Sequence, residues 1–141
     1  MAEIVLKDAT FEIGATGGAL VDLSDHVRQI TIDYSAETPE STAMGDTTKN
    51  RLPGLLDWKM DVEFNQDYDA ANVDATLFAL VGAAVDVDAC ATDAAASPTN
   101  PHYTGTGIVS AYNPLSGKVG DVNVTKVSIV AGSTALTRAT S

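Results

Sequence analysis

Two closely spaced carboxylates followed by a third offer the first candidate for chemistry, a calcium loop. Asp86 and Asp88 occupy the first and third positions of such a loop, and Asp93 follows them. An EF-hand also requires glycine at its sixth position and glutamate at its twelfth. Ala91 and Ser97 stand there instead. We therefore predict no metal site and interpret the aspartates as solvent-facing positions of a strand.

A second pair of carboxylates has the spacing of a hydrolytic site. Asp61 and Glu63 are two residues apart, which on a strand places their Cβ atoms on one face about 7 Å apart, as in an inverting glycosidase. Such an enzyme also needs aromatic platforms on that face, but Trp58 and Phe64 stand at even positions and are therefore predicted to lie on the opposite face. His26 ends a consecutive Ser-Asp-His tripeptide, and catalytic triads are not assembled from neighbours in one turn. We expect no enzyme activity and no cofactor.

The charge balance excludes further classes of function. The 141 residues contain 8 Lys and Arg against 19 Asp and Glu, a formal net charge of -11, which argues against a basic face that grips nucleic acid or an anionic membrane. The lone Cys90 excludes an intrachain disulfide. The longest apolar run, residues 77–85, is shorter than the ~20 residues of a membrane helix, and the first residues lack a signal-peptide pattern. We expect one soluble domain over residues 1–141.

Alternation of apolar and polar residues dominates the chain and predicts an all-β fold. In residues 58–65 the even positions are large and apolar and the odd positions are polar, and residues 28–34 repeat the pattern. Half-buried strands have this period of two. The side chains predicted to face the core are Ile30, Ile32, Tyr34, Trp58, Met60, Val62 and Phe64, and those predicted to face water are Gln29, Thr31, Asp33, Lys59, Asp61, Glu63 and Asn65.

One short helix and four further strands complete the predicted fold. Apolar residues at helical spacing predict the helix, and Gly82 suits the left-handed conformation that ends it. The helical positions are Val73, Leu77, Leu80 and Val81, and the further strands are residues 4–13, 85–88, 103–112 and 122–130. In the last strand the apolar parity switches, which either a bulge near Lys126 or a change of facing environment would explain.

A long polar segment between the two best strands is predicted to be an assembly arm. Residues 35–56 exceed the 2–5 residues of ordinary hairpin loops, so we expect them to find partners outside the domain. The arm offers apolar anchors and two basic side chains that would orient docking onto a neighbour's carboxylates. The anchors are Met44, Leu52, Leu55 and Leu56, and the basic residues are Lys49 and Arg51. We expect the arm to be disordered in the isolated subunit and to order on assembly.

Five segments occur in a characteristic order and spacing. They read LVDLSDHVR at 20–28, TAMGDTT at 42–48, GLLDW at 54–58, VEFNQDY at 62–68 and VDATLF at 73–78. With the glycine-punctuated C-terminal strands, they resemble the major tail tube proteins of long-tailed bacteriophages with non-contractile tails, and the related tubes of gene transfer agents. The resemblance runs from about residue 22 to the C-terminus.

The resemblance implies a two-sheet β-sandwich or flattened barrel with one flanking helix. It implies that six copies form a ring, that rings stack into a tube, and that each subunit lends four strands to a continuous inner barrel. The implied partners are further copies of the chain, the tail tip and tail terminator proteins, and DNA in transit without specific binding, with no membrane. The implied location is the virion tail, assembled in the host cytoplasm.

Within such a tube, the water-facing side of the two best strands is predicted to line the lumen. Its Asp33, Asp61 and Glu63 would repel DNA phosphates, and Lys59, the one basic residue placed there, would pair with Asp61 or Asp33. Alternatively, the negative charge only keeps the subunit soluble before assembly. The alternative to a tube is a free-standing β-sandwich that binds carbohydrate or acts as an adhesin, with residues 93–101 as its ligand loop.

Overall fold

A computed structural model describes residues 3–141 and shows a mostly β-stranded protein with one α-helix. A 3-10 turn at Ser24–His26 precedes the third strand. No helix among the described residues is long and apolar enough to cross a membrane. The elements are β1 Thr10–Ala15, β2 Val21–Asp22, β3 Val27–Ala36, β4 Leu56–Asn65, α1 Val73–Leu80, β5 Ala84–Cys90, β6 His102–Tyr112, β7 Val124–Ala131 and β8 Thr137–Ala139.

The eight strands form one antiparallel sheet, which confirms the predicted all-β class. The hydrogen-bonded order is β2-β1-β5-β6-β7-β4-β3, and β8 also pairs with β6. The sheet folds over on itself, because the rings of Phe11 in β1 and Phe64 in β4 meet edge to face with centroids 5.7 Å apart. The long strand β6, whose register shifts between Val109 and Ala111, belongs to both halves. The two predicted layers are therefore halves of one continuous sheet.

Apolar side chains of β4 fill the space between these two layers, as the alternation predicts. Trp58, Met60, Val62 and Phe64 are buried, and Phe11, Ile13, Val85 and Val87 face them from the other layer. Ile30 and Ile32 of the edge strand β3 pack against this core and are partly buried.

Tyr34 corrects the predicted core, because half of its side chain is exposed. It pairs with Trp58 across the β3–β4 ladder and so lies on the expected face. However, every residue from 33 to 36 is exposed, whereas Trp58 opposite Tyr34 is buried. The difference arises because β3 is the edge strand of the sheet and has a neighbouring strand on one side only. A period-two pattern gives the face of a residue and not what covers that face.

Two strand predictions are wrong at their ends. The first strand begins at Thr10 rather than at residue 4, and Ile4, Val5 and Leu6 are more than half exposed. The strand predicted for residues 122–130 begins at Val124, and Val122 lies outside it, 69% exposed.

The parity switch predicted near Lys126 also disappears. The buried positions of β7 are all odd, namely Thr125, Val127 and Ile129. The register irregularity lies in the neighbouring strand β6. Since Val122 is not in the strand, neither a bulge in β7 nor a change of environment is needed.

The helix α1 follows the prediction closely and covers one end of the core. Val73, Leu77 and Leu80 are buried, while Val81 follows the helix and is half exposed. Asn72 precedes the helix, and its side chain donates to Asp67 Oδ2 at 2.8 Å rather than to the helix backbone. Gly82 has a φ of 79°, the left-handed conformation that suits glycine after a helix.

Strand β6 approaches β7 and the Trp58 ring of β4 so closely at Gly107 that no side chain fits there. A Cβ on Gly107 would lie 2.4 Å from the carbonyl oxygen of Val130 and 2.8 Å from the Trp58 ring. We expect Gly107→Ala to lower the free energy of unfolding by about 1–3 kcal/mol, the usual effect of overpacking, measured by denaturant unfolding. Gly18→Ala, where the nearest atom would be 3.2 Å away in an exposed turn, is the control. Equal stability of the Gly107 variant and the native chain would contradict the packing of Trp58.

Candidate functional site

The water-facing side of β3 and β4 forms one continuous polar surface, with the predicted alternation. Three cross-strand pairs define it: Gln29 with Glu63, Thr31 with Asp61, and Asp33 with Lys59. All six share one face because opposite residues in an antiparallel ladder point to the same side. Asn65 is exposed at the end of β4. The structure therefore brings all seven residues of the predicted lumen set onto one surface, which we call the polar face.

Strand β7 extends this polar face on the other side of β4. Ser128 lies opposite Asp61 and Lys126 lies opposite Glu63. The Ser128 hydroxyl donates to Asp61 Oδ1 at 2.6 Å, and Lys59 Nζ lies 3.4 Å from Asp61 Oδ2. The predicted pairing of Lys59 with a carboxylate of this face is thus present.

The charge of the polar face differs from the prediction. Lys59 was expected to be its only basic residue, but Lys126 is exposed there beside Glu63. Arg28 also reaches it, with its guanidinium 4.0 Å from Glu63 Oε1. The sequence missed Lys126 because only the water-facing sides of the two best strands were assigned to this face, and not the strand that pairs with β4 on its other side. It missed Arg28 because the ladder shifts register between Val27 and Gln29. The carboxylates Asp33, Asp61 and Glu63 are therefore balanced by the basic residues Lys59, Lys126 and Arg28.

Four carboxylates, those of Glu12, Asp22, Asp86 and Asp88, share the outer face of the other layer. Glu12 lies opposite Asp22 on β2 and opposite Asp88 on β5. Burial, followed by repulsion from Asp88 and Asp22, raises the pKa of Glu12. His102 Nδ1 lies 2.9 Å from Asp88 Oδ1, and Thr106 donates to Asp86 Oδ1 at 2.8 Å. Within residues 3–141 no cluster of three side chains is arranged to hold a metal ion.

The arm is not the irregular loop that its sequence suggests. Between Ala36 and Leu56 the segments that continue β3 and β4 still pair with each other. The backbone of Glu37 donates to the carbonyl of Leu55 at 2.8 Å, and the backbone of Leu52 donates to the carbonyl of Pro39 at 2.9 Å. Ser41 donates to the carbonyl of Asn50 at 2.8 Å. Asp46 closes the tip by accepting from the backbone of Ala43 and the side chain of Asn50. Residues 37–55, which we call the arm, thus prolong the β3–β4 hairpin.

No part of the arm packs against the core of its own subunit. Every residue from 33 to 57 is exposed. Lys49 lies 3.9 Å from Glu40, and Arg51 pairs with Glu40 through the backbone. The predicted anchors all face solvent: Met44 at the tip is fully exposed, and Leu52, Leu55 and Leu56 are more than half exposed. The arm therefore presents apolar surface without a partner inside the chain.

A second exposed apolar surface was missed by sequence reasoning. Residues 113–123, which we call the β6–β7 loop, expose Leu115, Val119 and Val122. Gly117 and Gly120 lie between them. The available signal was this mixture of glycine and isolated apolar residues between the two predicted strands, of which only Val122 was assigned to a strand.

Three solved structures share this fold. A chain in the tail of an empty gene transfer agent particle, computed with helical refinement and C6 symmetry, superposes with a TM-score of 0.69 at 14% sequence identity, covering 93% of this chain and 95% of that one. A chain of the native gene transfer agent virion gives a TM-score of 0.66 at 12% identity, covering 93% and 95%. A chain in the sixfold-symmetrised baseplate of the anti-feeding prophage gives 0.61 at 9% identity, covering 92% and 91%. This chain therefore shares its fold with chains of gene transfer agent tails and of a prophage baseplate.

The tail fold confirms, for the architecture, the resemblance inferred from the five sequence segments. No model of a protein family and no curated protein matches the sequence. At 14% identity or less the side chains of the polar face and the arm are this chain's own, so their roles have to be argued from the geometry described above.

One ion pair of this tail fold makes a testable contribution to stability. Burial raises the pKa of Asp61, but hydrogen bonds from Ser128 and Lys59 and the charge of Lys59 outweigh it, so that the net pKa is lowered. Because folding lowers the pKa of Asp61, the ion pair stabilises the protein at pH values above the pKa of Asp61 in the unfolded chain. This stabilisation is lost as pH falls through the pKa of Asp61 in the folded chain. We expect acidification from neutral pH to below the ordinary value of 3.8 to destabilise the native chain more than Asp61→Asn, measured by thermal unfolding. Parallel pH curves for the two proteins would contradict this assignment.

Proposed function

We propose that this protein is the structural subunit of a tail tube, with six copies in a ring and rings stacked into a conduit for DNA. The observation that carries the proposal is a fold match over 93% of this chain to a chain in a C6-symmetric tail. It acts by assembly rather than by catalysis, with no cofactor. Its partners are copies of itself, tail tip and tail terminator proteins and DNA in transit, and its place is the virion tail, assembled in the host cytoplasm.

The inner wall of the tube is the four-stranded half of the sheet in the order β6-β7-β4-β3. Six copies contribute 24 such strands, and at ~4.8 Å per strand the circumference is at least ~115 Å and the diameter ~37 Å. That width admits a DNA duplex. The polar face of β3 and β4 then lines the lumen with Gln29, Thr31, Asp33, Lys59, Asp61, Glu63 and Asn65.

The paired charges of the polar face keep the lumen from gripping DNA. A Lys or Arg that contacts phosphate releases counterions and adds affinity, and such contacts would recur in every ring. Lys59 lies beside Asp61 and Lys126 lies opposite Glu63, so each ammonium group has a carboxylate close by. The wall is therefore polar and wet but offers no unopposed cationic stripe to the duplex.

The arm supplies contacts between copies. Its length from Glu37 to Ala43, six residue-to-residue spacings of ~3.3 Å each, is about 20 Å, which carries its apolar tip beyond the body of the subunit. We expect the arm's amide hydrogens to exchange fast in the free subunit and slowly in the tube, since ordering on assembly protects backbone hydrogen bonds. Hydrogen exchange measured on residues 37–55 in both states tests this. Equal protection in the two states would contradict a role in assembly.

Imaging and sizing the purified protein test the proposal. We expect concentration-dependent rings or tubes by size-exclusion chromatography and negative-stain microscopy. A monomer at every concentration that binds glycans would instead support the free-standing β-sandwich module, with the loop at residues 93–101 as its ligand site.

A further inference from the structure

The β6–β7 loop presents apolar side chains on a fixed base. Leu115 and Val122 are 78% and 69% exposed, and Val119 is fully exposed. Tyr68, 57% exposed, lies beside them and bonds to the loop. Isolated exposed apolar residues are ordinary, but a group of them within one loop marks an interaction surface.

Several hydrogen bonds hold the base of this loop. The carbonyl of Pro114 accepts from the Gln66 side chain at 2.7 Å and from the Tyr68 hydroxyl at 2.8 Å. The Asn123 side chain donates to the Tyr68 hydroxyl at 2.9 Å, and the backbone of Val124 donates to Ser116. A surface ordered before binding loses less conformational entropy when a partner docks. The apolar residues of the loop are thus held ready for a contact that the subunit itself does not make.

The loop and the arm lie at opposite ends of the same layer. The arm joins β4 at Leu56, whereas the other end of β4, Asn65, lies opposite Val124, the first residue after the loop. The ten residues of β4 separate the two ends by about 30 Å. Two different surfaces at opposite ends of a molecule make a head-to-tail contact, the kind that builds an open stack rather than a closed pair.

We infer that the β6–β7 loop of one copy receives the arm of a second copy in the next ring. A cavity of about 380 Å³ beside the loop is lined by both apolar and charged residues, Val122, Arg28 and Asp121 among them. Among residues 3–141 neither Asp121 nor the arm's Arg51 forms an ion pair within the subunit, so the two charges are available to each other across the contact. The inference rests on the proposed tube, because it names the surface that the arm meets there.

Cysteine cross-linking in assembled tubes tests this contact. The variant carries Met44→Cys at the arm tip and Val119→Cys in the loop, both fully exposed positions, with the buried Cys90 replaced by Ala. Oxidation of its tubes should produce a ladder of covalent oligomers longer than a dimer, which collapses to monomer on reduction. The matched control carries Met44→Cys together with Phe78→Cys, an exposed position on α1, and should give no ladder.

The possible outcomes separate the contact from the tube. If tubes form but the loop pair gives no ladder, or no more than the Phe78 pair, the arm meets another surface and the inference fails while the proposed function stands. If the native chain forms no tubes, the proposed function fails and the contact with it. If only the paired variant fails to assemble, tubes are instead formed from a mixture of native chain, the Met44→Cys chain and the Val119→Cys chain. The expected product is then a covalent dimer of one Met44→Cys chain and one Val119→Cys chain.

Discussion

Removing the arm is expected to abolish tube formation without unfolding the subunit. The variant lacks residues 38–51, with Glu37 joined to Leu52 through Asn-Gly, a pair that favours a tight hairpin turn. Since every residue from 33 to 57 is exposed and no arm residue packs against the core, the loss of stability should stay within about 0.5 kcal/mol. The deletion also removes the exposed anchor Met44 at the tip and, in the proposed tube, the contacts that the arm makes with a neighbouring copy.

The measurements are thermal unfolding of the subunit and tube counts by negative-stain microscopy. The matched control keeps the arm and replaces only its anchors by Ser, at Met44 and Leu52, which should weaken assembly while leaving the arm in place. Normal tubes from a folded deletion variant would show that the arm is dispensable and that stacking depends on other surfaces.

If the polar face lines the proposed tube, reversing its charges should turn a passive lumen into one that binds DNA. In Asp61→Lys with Glu63→Lys, the new lysines join Lys59 and Lys126 on one surface, where Asp33 is the remaining carboxylate beside Lys59 and Lys126 loses the Glu63 carboxylate opposite it. The substitution recurs in every copy of every ring. We expect duplex DNA to pass slowly or to stall. We also expect the tubes to bind duplex with a steep salt dependence, about 0.9 in the logarithmic slope for each phosphate contacted.

DNA binding by assembled tubes, measured by fluorescence anisotropy over a range of salt concentrations, tests this. The matched control carries the same change of net charge at Asp69→Lys and Asp93→Lys, exposed positions outside the polar face. If the control binds DNA as well as the lumen variant does, net charge decides the effect and the acidity serves solubility. If neither binds and DNA passes at the native rate, the polar face does not line the channel.

Side-chain alternation was enough to predict the strands that matter most. In β4 each position has a strong preference for one face, so the buried set Trp58, Met60, Val62 and Phe64 follows from period two alone. The same rule could not predict the exposure of Tyr34, because β3 is the edge strand of the sheet and no local pattern shows which strand lies at the edge.

The charge of the polar face and the shape of the arm depend on pairing that local sequence does not carry. Lys126 reaches the face only through the register of β7 against β4, and Arg28 only through an irregularity in the β3–β4 ladder. The arm lacks apolar alternation because neither of its sides is buried, so its backbone ladder left no trace in the side-chain pattern. The β6–β7 loop has no periodic pattern, so the local sequence around Leu115 and Val119 carries no sign that these apolar side chains are exposed.

A cryo-EM structure of tubes formed by the purified protein tests most directly whether this chain builds the wall of a DNA conduit. We expect sixfold rings in which β6, β7, β4 and β3 form the inner wall, with Asp61 and Glu63 facing a channel about 37 Å across. Tubes with Asp61 and Glu63 on the outer wall would contradict the assigned lumen, and a protein that stays monomeric at every concentration would contradict the conduit itself.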